Sequence, residues 1–132
     1  MTGKEKTEVL AHRLARAKET LNEAQLLFNN NFFNAAVNRI YYSCFYAVGT
    51  LLINSNIKAR KHSGAIKMFS LHFVLPGIVS KETGKFYSEL FDMRQSGDYV
   101  DYFDFLKDDV APLFLPAQQL ITKVEEILSR QQ

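Results

Sequence analysis

Arg94 is the residue its surroundings explain least, because it follows Tyr87, Leu90 and Phe91 by seven, four and three positions and so projects from the border of an apolar helical face. A guanidinium in that place needs acceptors. Asp98 stands four residues on, beyond Gly97, and Asp101 and Asp104 follow within DYVDYFDF, a loop that alternates acids with aromatics. Two chemistries suit these types and spacings. In one, Arg94 and Asp98 form a latch, an arginine-carboxylate pair that pins the loop to the helix. In the other, Arg94 is an anion site for phosphate or RNA backbone, with Tyr99 and Tyr102 free to stack on bases.

A second asymmetry lies upstream. Lys58, Arg60, Lys61 and Lys67 fall in a stretch with no acid between Ile57 and Ser80, whereas six Asp crowd the span from Asp92 to Asp109 against Arg94 and Lys107. The chain therefore carries opposing patches although its formal charge is only +2, and such patches are either solvated faces or surfaces that pair two subunits or a partner. His62, beside a Ser63 expected to cap the next helix, is predicted to be exposed enough to protonate and hold an anion with Lys61. His72 is predicted to be packed within that helix.

Other chemistries find no residues to carry them. No Glu-x-x-His pair of the carboxylate-bridged iron kind occurs, Glu8 and His12 read as a surface pair, and Cys44 is alone, so neither a metal site nor a disulfide is expected. Cys44 reads as a small buried hydrophobe. There is no nucleophile elbow, no Gly-rich phosphate loop and no cofactor motif, so no cofactor is expected. The apolar runs fall short of the ~20 residues that span a bilayer, and the start MTGKEKTEVLAHR is polar, so a soluble cytoplasmic protein is expected.

The elements that must position these groups are helices. At 132 residues, 47% hydrophobic and 23% charged, the chain predicts one globular domain over 1–132. Leu10, Leu14, Ala17, Leu21, Ala24 and Phe28 recur at helical steps and predict a first helix from about Lys4 to Asn29, closed by three asparagines. Phe33, Val37, Ile40, Tyr41, Cys44, Phe45, Val48, Leu51 and Leu52 form a wider stripe, as for a central, heavily buried second helix. Asn54 to His62 reads as a loop. A third helix carries Ile66, Phe69 and Phe73 and stops near Val74, ahead of Pro76 and Gly77. Ser80 caps a fourth, which presents Phe86, Tyr87, Leu90, Phe91 and Met93 inward and ends at Gly97. A last helix buries Ala117, Leu120, Ile121, Val124, Ile127 and Leu128, with a kink or late start imposed by Pro112 and Pro116. The fold class is an all-α antiparallel bundle of four or five helices.

In their order and spacing, NAAVNRIYYSCFYAVGTLL on the second helix, KHSGAIKMF after the basic loop and LFDMRQSGDY before the acidic loop resemble the HEPN domain family, especially its small stand-alone bacterial and archaeal members. The resemblance covers nearly the whole chain. It implies a helical bundle that forms a homodimer, and a partner, a minimal nucleotidyltransferase, with which it acts as a toxin-antitoxin pair or nucleotide-handling module. It also implies an activity seen in many relatives, metal-independent RNA cleavage by an Arg and a His separated by four to six residues. Arg94 matches the Arg, but positions 99 to 101 are Tyr99, Val100 and Asp101, so the usual His is absent. Tyrosine, with a pKa near ~10, is a poor base at neutral pH where histidine near ~6.5 is well matched. The resemblance then implies a nucleotide- or RNA-binding or regulatory module, with metal-independent ribonuclease action through Arg94, with His62 the candidate to complete it, or a structural adaptor role as the alternatives.

Overall fold

In the computed structural model, which describes residues 2–130, helices follow wherever the apolar residues repeat at helical steps. The first, α1 (Gly3–Asn29), opens with a reciprocal cap in which the Thr2 hydroxyl accepts from the Glu5 amide at 3.1 Å while the Glu5 carboxylate accepts from the Thr2 amide. Two residues past its end, Asn31 takes a φ of 67°, a left-handed conformation that asparagine tolerates. The three-residue connection 30–32 then folds α2 (Phe33–Asn54) back along α1, the most extensive helix pairing in the molecule. Antiparallel packing follows from so short a link.

Helix α2 is the centre of the bundle. It touches α1, the later long helices and the short ones, and it buries residues around most of its circumference, including small Ala36, Ser43, Cys44 and Ala47, which let neighbours approach. The buried hydroxyls of Ser43 and Thr50 donate to the Ile40 and Tyr46 carbonyls one turn back, so this polarity is satisfied locally. Cys44 is fully buried as expected, and burial lifts its thiol to about 12.

The third helix departs from expectation at its start. Helix α3 (Lys61–Phe69) begins three residues earlier than a Ser63 cap would set it, with Arg60 at the cap position and Lys61 at φ 61°. A five-residue π turn, Ser70–Val74, continues it, closed by the Leu75 amide donating to the Ser70 carbonyl at 2.8 Å. The wider turn shifts the register, so Phe69 and Phe73 are buried while His72 is exposed on the outer face. The packed His72 of the sequence reading is thereby corrected. The helix does end at Val74, ahead of Pro76 and Gly77 at φ 84°.

Ser80 caps α4 (Lys81–Tyr99) by accepting from the Thr83 amide at 3.1 Å. This helix does not stop at Gly97. Gly97 is a contact point instead: a Cβ there would stand 2.8 Å from the Phe105 ring, so its bareness lets the following segment fold onto the helix. One side chain of α2 ties that segment down. Asn34 donates to the Gly97 and Phe103 carbonyls at 3.3 and 2.8 Å and accepts from the Phe105 amide at 2.8 Å.

The chain then makes one turn of α5 (Lys107–Val110) and a 3-10 turn, Ala111–Leu113, before α6 (Phe114–Arg130). Pro112 sits in the 3-10 turn and Pro116 in the first turn of α6, the late start that two prolines impose. The buried face of α6 is Ala117, Leu120, Ile121, Val124, Ile127 and Leu128, as its periodicity predicts. The core joins these residues to those of α1, α2, α3 and α4 in one cluster. The result is an all-α bundle with no strand among the described residues, and none of its helices is long and apolar enough to cross a membrane.

Candidate functional site

Tyr87, Leu90 and Arg94 are the buried residues of α4, three and seven positions apart on one stripe, so the helix that delivers two core side chains also delivers a cation. Arg94 is only 5% exposed. Aromatic rings make that burial tolerable: the guanidinium carbon lies 5.1 Å from the Tyr41 ring centre, 5.6 Å from Tyr42, 5.7 Å from Phe91 and 5.5 Å from Tyr99. Their faces attract a cation by up to ~2 kcal/mol each when water is excluded.

Polar partners complete the cage on one side. Nη1 donates to the Tyr99 hydroxyl at 3.2 Å and lies 3.7 Å from Asp98 Oδ2, a charge contact longer than a hydrogen bond. Asp98 is in turn fixed by Asn38 of α2, whose Nδ2 donates to the same oxygen at 2.8 Å, and Asn38 Oδ1 accepts from Arg39. The loop-latch geometry is thus present, although Asp98 lies within the last turn of α4 and not beyond its end. Arg94 Nε is buried without an acceptor. An unpaired buried donor on a cation is costly, and such groups are rare enough that each calls for a functional or structural reason.

His62 enters this cluster from α3. Its Nδ1 is 2.7 Å from the Tyr41 hydroxyl, and its ring packs 4.5 Å from Phe45 and 6.2 Å from Phe91. It is half-buried, not displayed on a loop, because α3 starts at Lys61 and the left-handed backbone there turns the next side chain inward. Burial, and then the charge of Arg94, hold the imidazole below its usual pKa, while burial pushes the Tyr41 phenol up. Both groups are therefore neutral at pH 7. The Tyr41 hydroxyl and Nδ1 share one hydrogen: with Tyr41 as donor the ring proton sits on Nε2, and with Nδ1–H as donor Nε2 is the basic nitrogen. Behind Tyr41 the Tyr87 ring stacks at 6.1 Å, its buried hydroxyl without a hydrogen-bond partner of good geometry and its pKa raised by burial.

The structure brings Arg94, Asp98 and Tyr99 together and joins His62 to them through Tyr41. It separates the other two sequence candidates. Tyr102 is fully exposed at φ 62°, with no ring or hydrogen-bond contact to Arg94, and Lys61 is exposed beside Phe45 and Arg13 on another face of His62. Sequence reasoning missed Asn38, Tyr41 and Tyr42 as parts of the site. Their signal was spacing, since Asn38, Tyr41, Tyr42 and Phe45 share one face of α2 at steps of three and four. No cluster of side chains able to hold a metal occurs among the described residues.

The fold and this buried arginine define a class of small helical bundle that keeps a cation inside an aromatic cage. The HEPN domain matches residues 10–128. A "UPF0332 protein" from Thermotoga maritima is 37% identical over 124 residues, 94% of each chain. "Putative toxin MJ0142" from Methanocaldococcus jannaschii is 31% identical over 115 residues, 87% of this chain and 78% of its own. "Putative toxin MJ0605" from the same organism is 37% identical over 84 residues, 64% of this chain and 63% of its own. The chain belongs to the HEPN domain family.

Proposed function

We propose that this chain is a toxin-like HEPN module whose Arg94 holds a phosphate of a nucleotide or RNA, and that it acts as a homodimer with a minimal nucleotidyltransferase partner. The observation that carries the phosphate reading is the buried Arg94 with Nε unpaired. The toxin names borne by two relatives support the module's class. Asp98 competes with the phosphate for the same guanidinium, so its removal has a diagnostic sign. Asp98→Asn should tighten binding of a short single-stranded RNA several-fold, and Arg94→Lys should weaken it at least tenfold, both read by fluorescence anisotropy. Unchanged affinity in both variants sinks the reading and leaves Arg94 as a latch.

Cleavage is the second reading, favoured by the sharing of Tyr41 between Arg94 and His62. With Nδ1–H donating to the Tyr41 hydroxyl, the basic Nε2 of the neutral imidazole can accept the proton of a ribose 2′-hydroxyl while Arg94 neutralises the adjacent phosphate and the 5′-oxygen leaves with a proton from water, which needs no metal. RNA incubated with the protein in EDTA would then yield 2′,3′-cyclic phosphate ends, lost in both Arg94→Lys and His62→Gln. Intact RNA on the gel assigns the site to binding alone. For the assembly, light scattering should return about twice the 15.1 kDa chain mass, and tagged protein should retain a nucleotidyltransferase from its native cell. A mass of one chain removes the dimer.

A further inference from the structure

Beside His62, but lined by none of Arg94, Tyr41 and Tyr42, α1, α2 and the residues leading into α3 form an open cavity of about 270 Å³. Its apolar lining is Phe45, Leu52, Ile53 and Ile57, and the exposed cations Arg13 and Lys61 line it as well. No acid lines it, and neither cation forms an ion pair among the described residues. Two backbone choices keep it in this form. Gly49, in the middle of α2, lies under the Arg13 guanidinium, whose Nη1 would be 3.7 Å from a Cβ placed there, and no other neighbour comes within 4 Å. Packing therefore does not require glycine, yet any longer side chain would reduce the cavity. Lys61 is held at φ 61°, a strained conformation for a residue with a side chain, of the kind that collects at ligand sites.

We propose that this cavity binds a small amphipathic anion, with an aromatic or short aliphatic body against Phe45, Leu52 and Ile57 and a single phosphate or carboxylate between Arg13 and Lys61. The volume lies just below the range typical of drug-sized pockets, so the body is one ring or a short chain. Apolar walls gain by shedding water, and the two cations of the lining, neither in an ion pair, fix the orientation. His62 lines the same cavity with Nδ1 already engaged by Tyr41, which leaves Nε2 as its free polar atom. The site is independent of the phosphate reading at Arg94, and it touches that cluster through His62 and Phe45.

The test uses the full chain, with phenyl phosphate and hexanoate as probes, titrated in amide-resolved NMR. Saturable shifts at Gly49, Ala59 and Lys61 are expected with both. Phenol, which lacks the head, and inorganic phosphate, which lacks the body, should each bind at least tenfold more weakly. Arg13→Gln with Lys61→Gln should weaken phenyl phosphate at least tenfold, and Gly49→Leu should abolish its binding while the helix content is kept. Should Gly49→Leu misfold, Ala59→Phe at the exposed rim serves the same purpose. Arg94→Lys should leave the affinity within twofold, which separates this site from the cage. Inorganic phosphate binding as tightly as phenyl phosphate, or affinity that survives both blocking variants, overturns the proposal.

Discussion

Tyr41 and Tyr102 are the same residue in opposite settings: one is fully buried in α2 with five rings around it, and the other stands wholly in solvent on the segment after α4. Both stretches are rich in aromatics. The difference is their spacing, because α2 repeats its rings at helical steps against a packed neighbour, whereas the 99–106 segment alternates them with acids that no core can absorb. Aromatic content by itself therefore does not mark a core. The buried region makes the site, and the last turn of α4, which leads into the exposed region, supplies Asp98 and Tyr99.

The largest contrast is expected in stability. Tyr41→Ala should cost about 3–5 kcal/mol in urea unfolding, as for a large aromatic truncated in a core, while Tyr102→Ala should stay within about 0.5 kcal/mol. Equal losses would break the distinction between the two regions. Next comes the cation that links them. Arg94→Ala should cost about 2–3 kcal/mol through lost ring contacts and packing, and a double-mutant cycle with Asp98→Ala should show coupling of only about 1 kcal/mol, since the pair is 3.7 Å apart and Asp98 is partly solvated. Coupling above about 3 kcal/mol would make the latch, and not the aromatic cage, the main support of Arg94.

A smaller effect tests the seam between the regions. Gly97→Ala gains about 1 kcal/mol of helix propensity but drives a methyl to 2.8 Å from buried Phe105, so a net loss of about 1 kcal/mol is expected, with Phe105 resonances displaced. A net gain would mean that Phe105 moves freely. The smallest effect is pH-dependent. The folded pKa of His62 lies below its unfolded value, so the unfolded chain binds more protons between the two; the contribution of His62 is complete above about pH 6.5 and is lost as pH falls through the folded pKa. In His62→Phe the decline in melting temperature below pH 6.5 should be shallower, and a parallel decline would remove His62 as its source.

Much of this was legible in the sequence. The buried face of α6 and the central position of α2 follow from periodicity, and Arg94 was visible because a cation on an apolar border requires partners. The rest was set by backbone events that periodicity does not encode. Nothing in KHSG announces that Lys61 takes a left-handed φ, which starts α3 early and turns His62 inward. The π turn at Ser70–Val74 likewise changes the residue angle in mid-helix and carries His72 outward. Asn38 and Tyr41 became recognisable as site residues only once α4 was seen to lie against α2, a pairing of distant segments that no local spacing reports.

The three hydrogen bonds that Asn34 makes to the segment after α4 have a consequence for local opening. Release of that one amide frees the Phe105 N–H and two carbonyls together without breaking any turn of α2 or α4. The Phe105 amide should therefore exchange with deuterium far faster than those of Ile40 or Leu90, by an opening that leaves the bundle folded. Asp98 would stay paired with Asn38 throughout, so the segment swings from a fixed hinge at the end of α4 and the cage around Arg94 keeps its shape.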